Sequence, residues 1–314
     1  MAPSRLPMPE PLPDRGVPGG AAPRAGGIGG SALPPTRRTR FAPSPTGLLH
    51  LGHAFSALTA SARATPGEFL LRIEDIDTAR SRPEYEAALK DDLSWLGLSW
   101  PEPTLRQSER RDAYDNALAR LAEMGLLYPC RCTRADIRAA LAAPQEGTSL
   151  IGPDGPVYPG TCRDRPIAEA APGDAIRLDM RRAVALIPPG TGFLETGPEH
   201  PGLHLLDAET MLRTIGDIVL ARGDIGVAYH LAVVVDDAFQ QITQIVRGED
   251  LFEATFIHRL LQLLLDLPTP DYHHHRLIRD ENGKRLAKRD DARAIRHYRA
   301  AGATPDDIRA MLEQ

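Results

Sequence analysis

An α/β fold, with a parallel sheet flanked by helices, is what this sequence predicts, and three observations predict it. Short apolar runs alternate with helix-period segments from Thr39 to Met124. A Pro- and Gly-containing stretch from Cys130 to about Asp164 breaks the alternation, which resumes at Leu231. In such a sheet ligands gather outside the carboxyl ends of the strands, so the segments just after strands are where chemistry is expected.

The first 36 residues contain nine prolines and seven glycines without apolar periodicity, and read as a disordered tail. Order is expected from Thr39. Arg40-Phe41-Ala42-Pro43-Ser44-Pro45-Thr46-Gly47 is a strand end running into a turn-rich loop, and His53 through Ala64 has helical spacing. Phe69–Ile73 reads as a short buried strand with Glu74-Asp75 at its carboxyl end. Pro83 suits the first turn of a helix whose Tyr85, Leu89, Leu93 and Leu96 share a face. A further helix, with Tyr114, Ala117, Leu118 and Leu121 inward, stops at Gly125. After the break, Leu231–Val235 and Ile242–Val246 both read as strands, and the stretch from about Glu253 to Leu265 as a helix. The chain closes with a helix near Ala292–Ala300 and another capped by Thr304, with Pro305 in the first helical position.

Composition narrows the function classes. The 314 residues are 42% hydrophobic and 25% charged, enough for one large or two modest domains, and no apolar run nears the roughly 18 residues of a bilayer span. Three cysteines cannot pair fully, and Cys130-x-Cys132 suits a metal better than a disulfide, so a cytoplasmic protein without membrane attachment is expected. The net charge of −5 argues against a basic nucleic-acid coat. Yet Arg276 to Arg299 carries nine Lys or Arg against four Asp or Glu, a segment able to meet phosphates. Lysine occurs only at Lys90, Lys284 and Lys288.

Two segments carry the chemistry. His50-Leu51-Gly52-His53 lies where a loop hands over to a helix, so backbone N–H groups and the helix dipole can face phosphate oxygens. Gly52 leaves room for a flat adenine ring, and two imidazoles can stabilise the charge that develops when a carboxylate attacks an α-phosphate. Far along the chain, Lys284-Arg285-Leu286-Ala287-Lys288-Arg289 forms a basic loop whose ammonium groups could close over a triphosphate and stabilise departing pyrophosphate.

With Arg40 to Gly47 and Arg72-Ile73-Glu74-Asp75-Ile76-Asp77, these segments resemble the catalytic domain of class I glutamyl-tRNA synthetases over about Thr39 to Leu312. His50-Leu51-Gly52-His53 corresponds to that family's HIGH signature and the basic loop to its KMSKS signature. Lys288 matches the second signature lysine, while Arg285 and Ala287 stand where the family has lysine and serine. Only 26 residues follow Lys288, which leads us to expect no helical anticodon-binding domains. The closer match is the family's shortened branch, which looks like a catalytic domain alone.

The resemblance implies a Rossmann-like catalytic domain with a zinc-containing insertion and a short helical C-terminal part. Its divisions are a tail at 1–36, the first half of the catalytic domain at 37–129, and the zinc-binding insertion at 130–164. The rest of the insertion and the second half follow at 165–270, then the lysine loop and C-terminal helices at 271–314. The implied reaction is activation of L-glutamate by ATP, with Mg2+, to glutamyl-adenylate, and transfer of glutamate to the queuosine base in the anticodon of tRNA(Asp). A monomer is expected.

Carried over by motif position, the glutamate site comprises Arg40, Phe41, Ala42, Pro43, Ser44, Glu74, Tyr229 and Arg247. His50, Gly52, His53 and Lys288 are implied to be catalytic, with His50, His53 and Lys288 on ATP. Two arginines and one carboxylate complement the two carboxylates and one ammonium of glutamate, and which arginine takes which carboxylate stays open. Cys130, Cys132 and Cys162, joined by Tyr158 as in the shortened branch, are implied to hold one structural Zn2+ per chain, although water or a carboxylate remains an alternative fourth ligand. His273-His274-His275 is expected near the nucleotide or RNA surface and not on a metal, because consecutive side chains point in different directions. The competing reading is a catalytically degenerate synthetase-like protein that binds tRNA or glutamate. Arg285 and Ala287 favour it; His50, Gly52, His53 and Lys288 oppose it.

Overall fold

The computed structural model describes residues 36–142, 151–153, 155–223, 226–278 and 294–313. The expectations for the tail before Thr36 and for the loop from Lys284 to Arg289, with Arg285, Ala287 and Lys288, lie outside the described residues.

Thr39–Phe41, Phe69–Ile73 and Leu105–Arg106 form a parallel sheet in that order. The helices Leu51–Arg63 and Pro83–Trp95 make its crossovers. The middle strand is buried on both faces, which is why it reads as a nearly unbroken apolar run; Arg72 sits within it fully buried. The first helix buries Leu51, Ala54, Ala57 and Ala60. That stripe of small side chains admits the sheet closely enough for Thr39 Oγ1 to donate to the Ala60 carbonyl at 2.7 Å. In the second helix Pro83 occupies the first turn, and Leu89 and Leu93 are buried with Leu96 just after it. The helix Arg111–Glu123 buries Tyr114, Ala117 and Leu121, and the chain leaves it through Gly125 at φ 69°.

A second parallel pair, Gln244–Gly248 and Asp271–His275, is connected by the helix Ala254–Leu264 and extended by the hairpin Gly192–Glu195 and Gly202–Leu205. The two sheets meet along their first strands. The N–H groups of Thr243 and Gln244 donate to the Arg38 carbonyl at 3.0 and 3.2 Å, and Arg40 Nη1 donates to the Val246 carbonyl at 3.2 Å. The carboxyl ends at Phe41 and Gly248 therefore lie side by side, and the crevice outside them is where an α/β fold binds its ligands. An antiparallel sheet of Gly226–Val227, Val219–Arg222, Ala175–Leu178 and Leu127–Cys130 flanks this assembly, and its last strand ends at Cys130.

One element differs in kind from the sequence expectation. Leu231–Val235 is not a strand but part of the helix Tyr229–Phe239. Leu231, Ala232, Val233 and Val234 are all buried, so no polar face breaks the run, and a short buried run carries no period that separates helix from strand. Tertiary burial then overrides the strand preference of three consecutive valines. The strand expected at Ile242–Val246 sits two residues later. At the C-terminal end, Thr304 caps Pro305–Glu313 as expected: its N–H donates to Asp307 Oδ2 at 2.8 Å, and the Asp307 N–H returns to Thr304 Oγ1 at 3.2 Å. Among the described residues no helix is long and apolar enough to cross a membrane.

Candidate active site and cysteine cluster

The crevice holds a cavity of about 640 Å³, and it collects residues from segments far apart in sequence. Arg40, Phe41, Ala42, Pro43 and Ser44 line it, with Glu74, Tyr229, Val246 and Arg247. His50, Gly52 and His53 line it at the helix entry, and His275 and Arg276 line it as well. Every residue expected to touch glutamate lies on this cavity, as do the three expected from the helix entry.

Glu74 is placed by a backbone tie: its N–H donates to the Pro43 carbonyl at 3.0 Å, locking two strand ends together. Its carboxylate faces Arg72 Nη2 at 3.4 Å. Burial pushes the Glu74 carboxyl up, against the pull of Arg72 and Arg40. Arg72 in turn donates to Asp237 Oδ1 at 2.7 Å, and Arg40 meets the same carboxylate through Nε at 2.9 Å and Nη2 at 3.3 Å. Burial would raise Asp237, but the two guanidinium groups outweigh it and hold it below the usual carboxylate range. Arg40 thus reaches the cavity already paired with a carboxylate.

Arg247 does not. It is 6% exposed, and no carboxylate of the described residues lies within ion-pair distance of it. Its donors go to His274 Nε2 at 3.0 Å, His258 Nδ1 at 3.0 Å, the Leu251 carbonyl at 3.1 Å and Thr255 Oγ1 at 2.7 Å. Tyr229 stands beside it at the start of its helix, with its ring edge-on to His230 and His258.

At the helix entry the two imidazoles cap the backbone. His50 is the N-cap of Leu51–Arg63; its Nδ1 accepts the Gly52 N–H at 3.1 Å, and His53 Nδ1 accepts the His50 N–H at 3.2 Å. With Nδ1 an acceptor, each neutral ring carries its proton on Nε2. A Cβ on Gly52 would lie 3.1 Å from His50 Cε1, so the missing side chain makes room for the capping imidazole.

Of the three consecutive histidines, only His275 lines the cavity, where its Nε2 and Ser56 Oγ are 2.8 Å apart. His274 is buried behind Arg247, so the expectation of a nucleotide- or RNA-facing run fails for it: strand alternation turns neighbouring rings to opposite faces. The sequence reading gave Asp236, Asp237, His258 and Glu195 no role of their own. Asp236 is fully buried and accepts from Gln107 Nε2, Arg110 Nε and Tyr114 Oη at 2.9, 2.8 and 2.7 Å. The signal for the acidic pair was its position directly after an apolar run, which tells once that run is known to be helical.

Cys130, Cys132 and Cys162 bring their Sγ atoms within 4.8 Å of one another. Cys132 and Cys162 are 3.5 Å apart, and Tyr158 Oη lies 3.3 and 3.4 Å from Cys130 and Cys132. Edges of this size match a tetrahedron around a metal with bonds of about 2.3 Å to sulfur, whose sulfur–sulfur edge is about 3.8 Å. Burial, with the neighbouring thiols, pushes Cys132 up to about 11 against the pull of Tyr158, whereas at Cys162 burial is outweighed by hydrogen bonds from Tyr158 and the Arg131 backbone, which bring it down to about 7.

The family model of class I tRNA synthetases for glutamate and glutamine, catalytic domain, matches residues 36–152 and 207–314. A Rhodobacter capsulatus protein named glutamyl-Q tRNA(Asp) synthetase is 60% identical over 280 residues, covering 87% of this chain and 99% of that protein. A Symbiobacterium thermophilum protein of the same name is 41% identical over 283 residues, covering 86% of this chain and 83% of its own. A glutamate tRNA ligase from Elizabethkingia meningosepticum, solved in complex with its amino acid, superposes with a TM-score of 0.61 at 29% identity. It covers 81% of this chain, which spans about half, 52%, of the ligase. On this cavity and these likenesses, the chain belongs to the class I glutamyl- and glutaminyl-tRNA synthetase family and contains its catalytic domain.

Proposed function

We propose that this protein activates L-glutamate with ATP and transfers it to the queuosine base in the anticodon of tRNA(Asp). The observation that carries the reading is the shared cavity, in which a glutamate-complementary set adjoins a helix entry with two imidazole donors. Glu74 takes the substrate ammonium, and Arg40 and Arg247 supply positive charge for its two carboxylates. One carboxylate oxygen attacks the α-phosphorus of ATP; the new acyl–phosphate bond forms as the bond to pyrophosphate breaks. His50 and His53 donate to the phosphate charge that grows in that step, and Lys288 receives the departing pyrophosphate, with Mg2+ accompanying the nucleotide.

Cys130, Cys132, Cys162 and Tyr158 hold one structural zinc, which ties the end of Leu127–Cys130 to the chain around Cys162. The protein works as a monomer in the cytoplasm. Incorporation of labelled glutamate into tRNA(Asp) tests the reading. Label is expected only in tRNA that carries queuosine, and it should leave when the anticodon base is removed. Label at the 3′ end, or none with either tRNA, overturns it.

A further inference from the structure

Arg247 is a buried cation that reaches the Glu195 carboxylate through an imidazole. His274 Nε2 accepts the Arg247 Nε–H at 3.0 Å, so the neutral ring carries its proton on Nδ1. That proton goes to Glu195 Oε2 at 2.5 Å. The other Glu195 oxygen accepts the N–H groups of His274 and Gly197 at 2.9 and 2.5 Å, so the carboxylate is fully committed. On the other side, His258 Nδ1 accepts from Arg247 Nη1 at 3.0 Å, which puts the proton on its Nε2, facing His230 Nδ1 at 3.0 Å. Glu195, His230, His258 and His274 are each at most 5% exposed.

Four of the five guanidinium N–H groups are thereby used, and the fifth, on Nη1, has no acceptor among the described residues. Arg247 itself lines the cavity. We propose that Glu195 acting through His274, and His230 acting through His258, are positioning residues that orient Arg247 and leave one of its N–H groups for a substrate carboxylate. The inference rests on the glutamate reading above for the ligand and on geometry alone for the relay. Imidazoles suit this place because each offers a neutral acceptor: a carboxylate directly on Arg247 would compete with the substrate for the same charge. The paired state of Arg40 on Asp237 makes Arg247 the arginine of the two that lacks a protein carboxylate.

Glu195→Gln is the informative change. Its amide oxygen can keep both backbone N–H groups, but its NH2 then meets the Nδ1–H of His274, and the ring must move its proton to Nε2, against the Arg247 N–H. We expect KM for glutamate in pyrophosphate exchange to rise about tenfold, the equivalent of one oriented charge-assisted hydrogen bond, with KM for ATP changed less than about twofold. In a His274→Gln background, where the amide oxygen at 274 accepts from Arg247 without help, adding Glu195→Gln should cost less than about twofold more. Parallel rises in both KM values, or an equal penalty in both backgrounds, overturns the proposal. Nitrogen NMR of the unmodified chain gives a reading independent of activity: His274 protonated on Nδ1 and His258 on Nε2 support the relay, and the opposite tautomer at either ring overturns it. Unmodified protein without glutamate-dependent exchange overturns the functional reading instead, and the tautomers still decide the relay.

Discussion

The imidazoles of His50 and His53 stack with centroids 3.8 Å apart, and each accepts a backbone N–H through Nδ1. One pair of rings thus closes the first turn of a helix through Nδ1 while both residues line the cavity. Capping and the proposed donation to phosphate use different atoms, so they can be separated by substitution.

His53→Asn keeps an acceptor near the Nδ1 position and removes the Nε2 donor. Glutamate-dependent pyrophosphate exchange should fall about 100-fold, as for one lost donor to a developing oxyanion. The unfolding free energy from urea denaturation should fall by less than about 1 kcal/mol, whereas His53→Ala, which removes the cap as well, should lose both activity and stability. An exchange rate for His53→Asn close to that of the unmodified chain would show that the ring only caps.

Asp237 holds Arg40 and Arg72 at once, with both arginines and the carboxylate buried. Asp237→Asn leaves two buried guanidinium groups sharing no anion, and removal of one partner from such a set costs about 3 to 5 kcal/mol. Chemical denaturation at neutral pH should report a loss of that size. A loss below about 1 kcal/mol would mean that water or Glu74 replaces the missing charge.

These features were unequally legible in the sequence. The helical run from His53, the proline at the start of Pro83–Trp95 and the Thr304 cap each follow from local spacing, and each element appears within two residues of where spacing put it. The helix Tyr229–Phe239 did not, because its buried turn has no polar face to reveal a period. Missing that helix concealed Asp236 and Asp237, whose partners Arg40, Arg72 and Arg110 lie more than a hundred residues away. The cavity residues were found by motif, but the second layer behind Arg247 was not. Glu195 sits in a hairpin with no chemical signature, and His274 was hidden in a run of three histidines.

Stability should fall as the solution is acidified below neutrality. Burial, with the Arg247 charge adding to it, lowers His258 well below the ordinary histidine value of 6.5; burial also lowers His274 to about 4, although Glu195 opposes the shift. Between pH 6.5 and about 4 the unfolded chain therefore binds more protons than the folded one, by up to about two from these rings, and unfolding becomes easier as pH falls. Glu74, raised by burial, works in the opposite direction as pH rises through its folded value, and offsets part of the slope. The urea midpoint should be lower at pH 5 than at pH 7, with a smaller difference in His274→Gln. An equal midpoint at both values would mean that the rings are already protonated in the folded chain.

The cysteine cluster makes the last prediction. If Cys130, Cys132, Cys162 and Tyr158 hold one metal, protein prepared without chelators should carry about one zinc per chain, and Cys162→Ser should release it, because a hydroxyl is a far poorer ligand than a thiolate. Tyr158→Phe should weaken retention less, since water can enter the fourth position, while the lost hydrogen bond from the Cys162 N–H to Tyr158 Oη, 2.9 Å long, loosens the loop locally. Cys130 ends the edge strand of the antiparallel sheet, and none of Cys130, Cys132, Tyr158 and Cys162 lines the cavity. Metal loss should therefore lower transfer of glutamate to tRNA more than pyrophosphate exchange. Thermal unfolding monitored with and without a chelator separates the two contributions: a midpoint that falls on chelation in the unmodified chain, and stays put in Cys162→Ser, is the expected pattern. Metal analysis that finds no zinc, or a midpoint indifferent to chelation in every variant, would leave the four side chains as a buried hydrogen-bonded cluster.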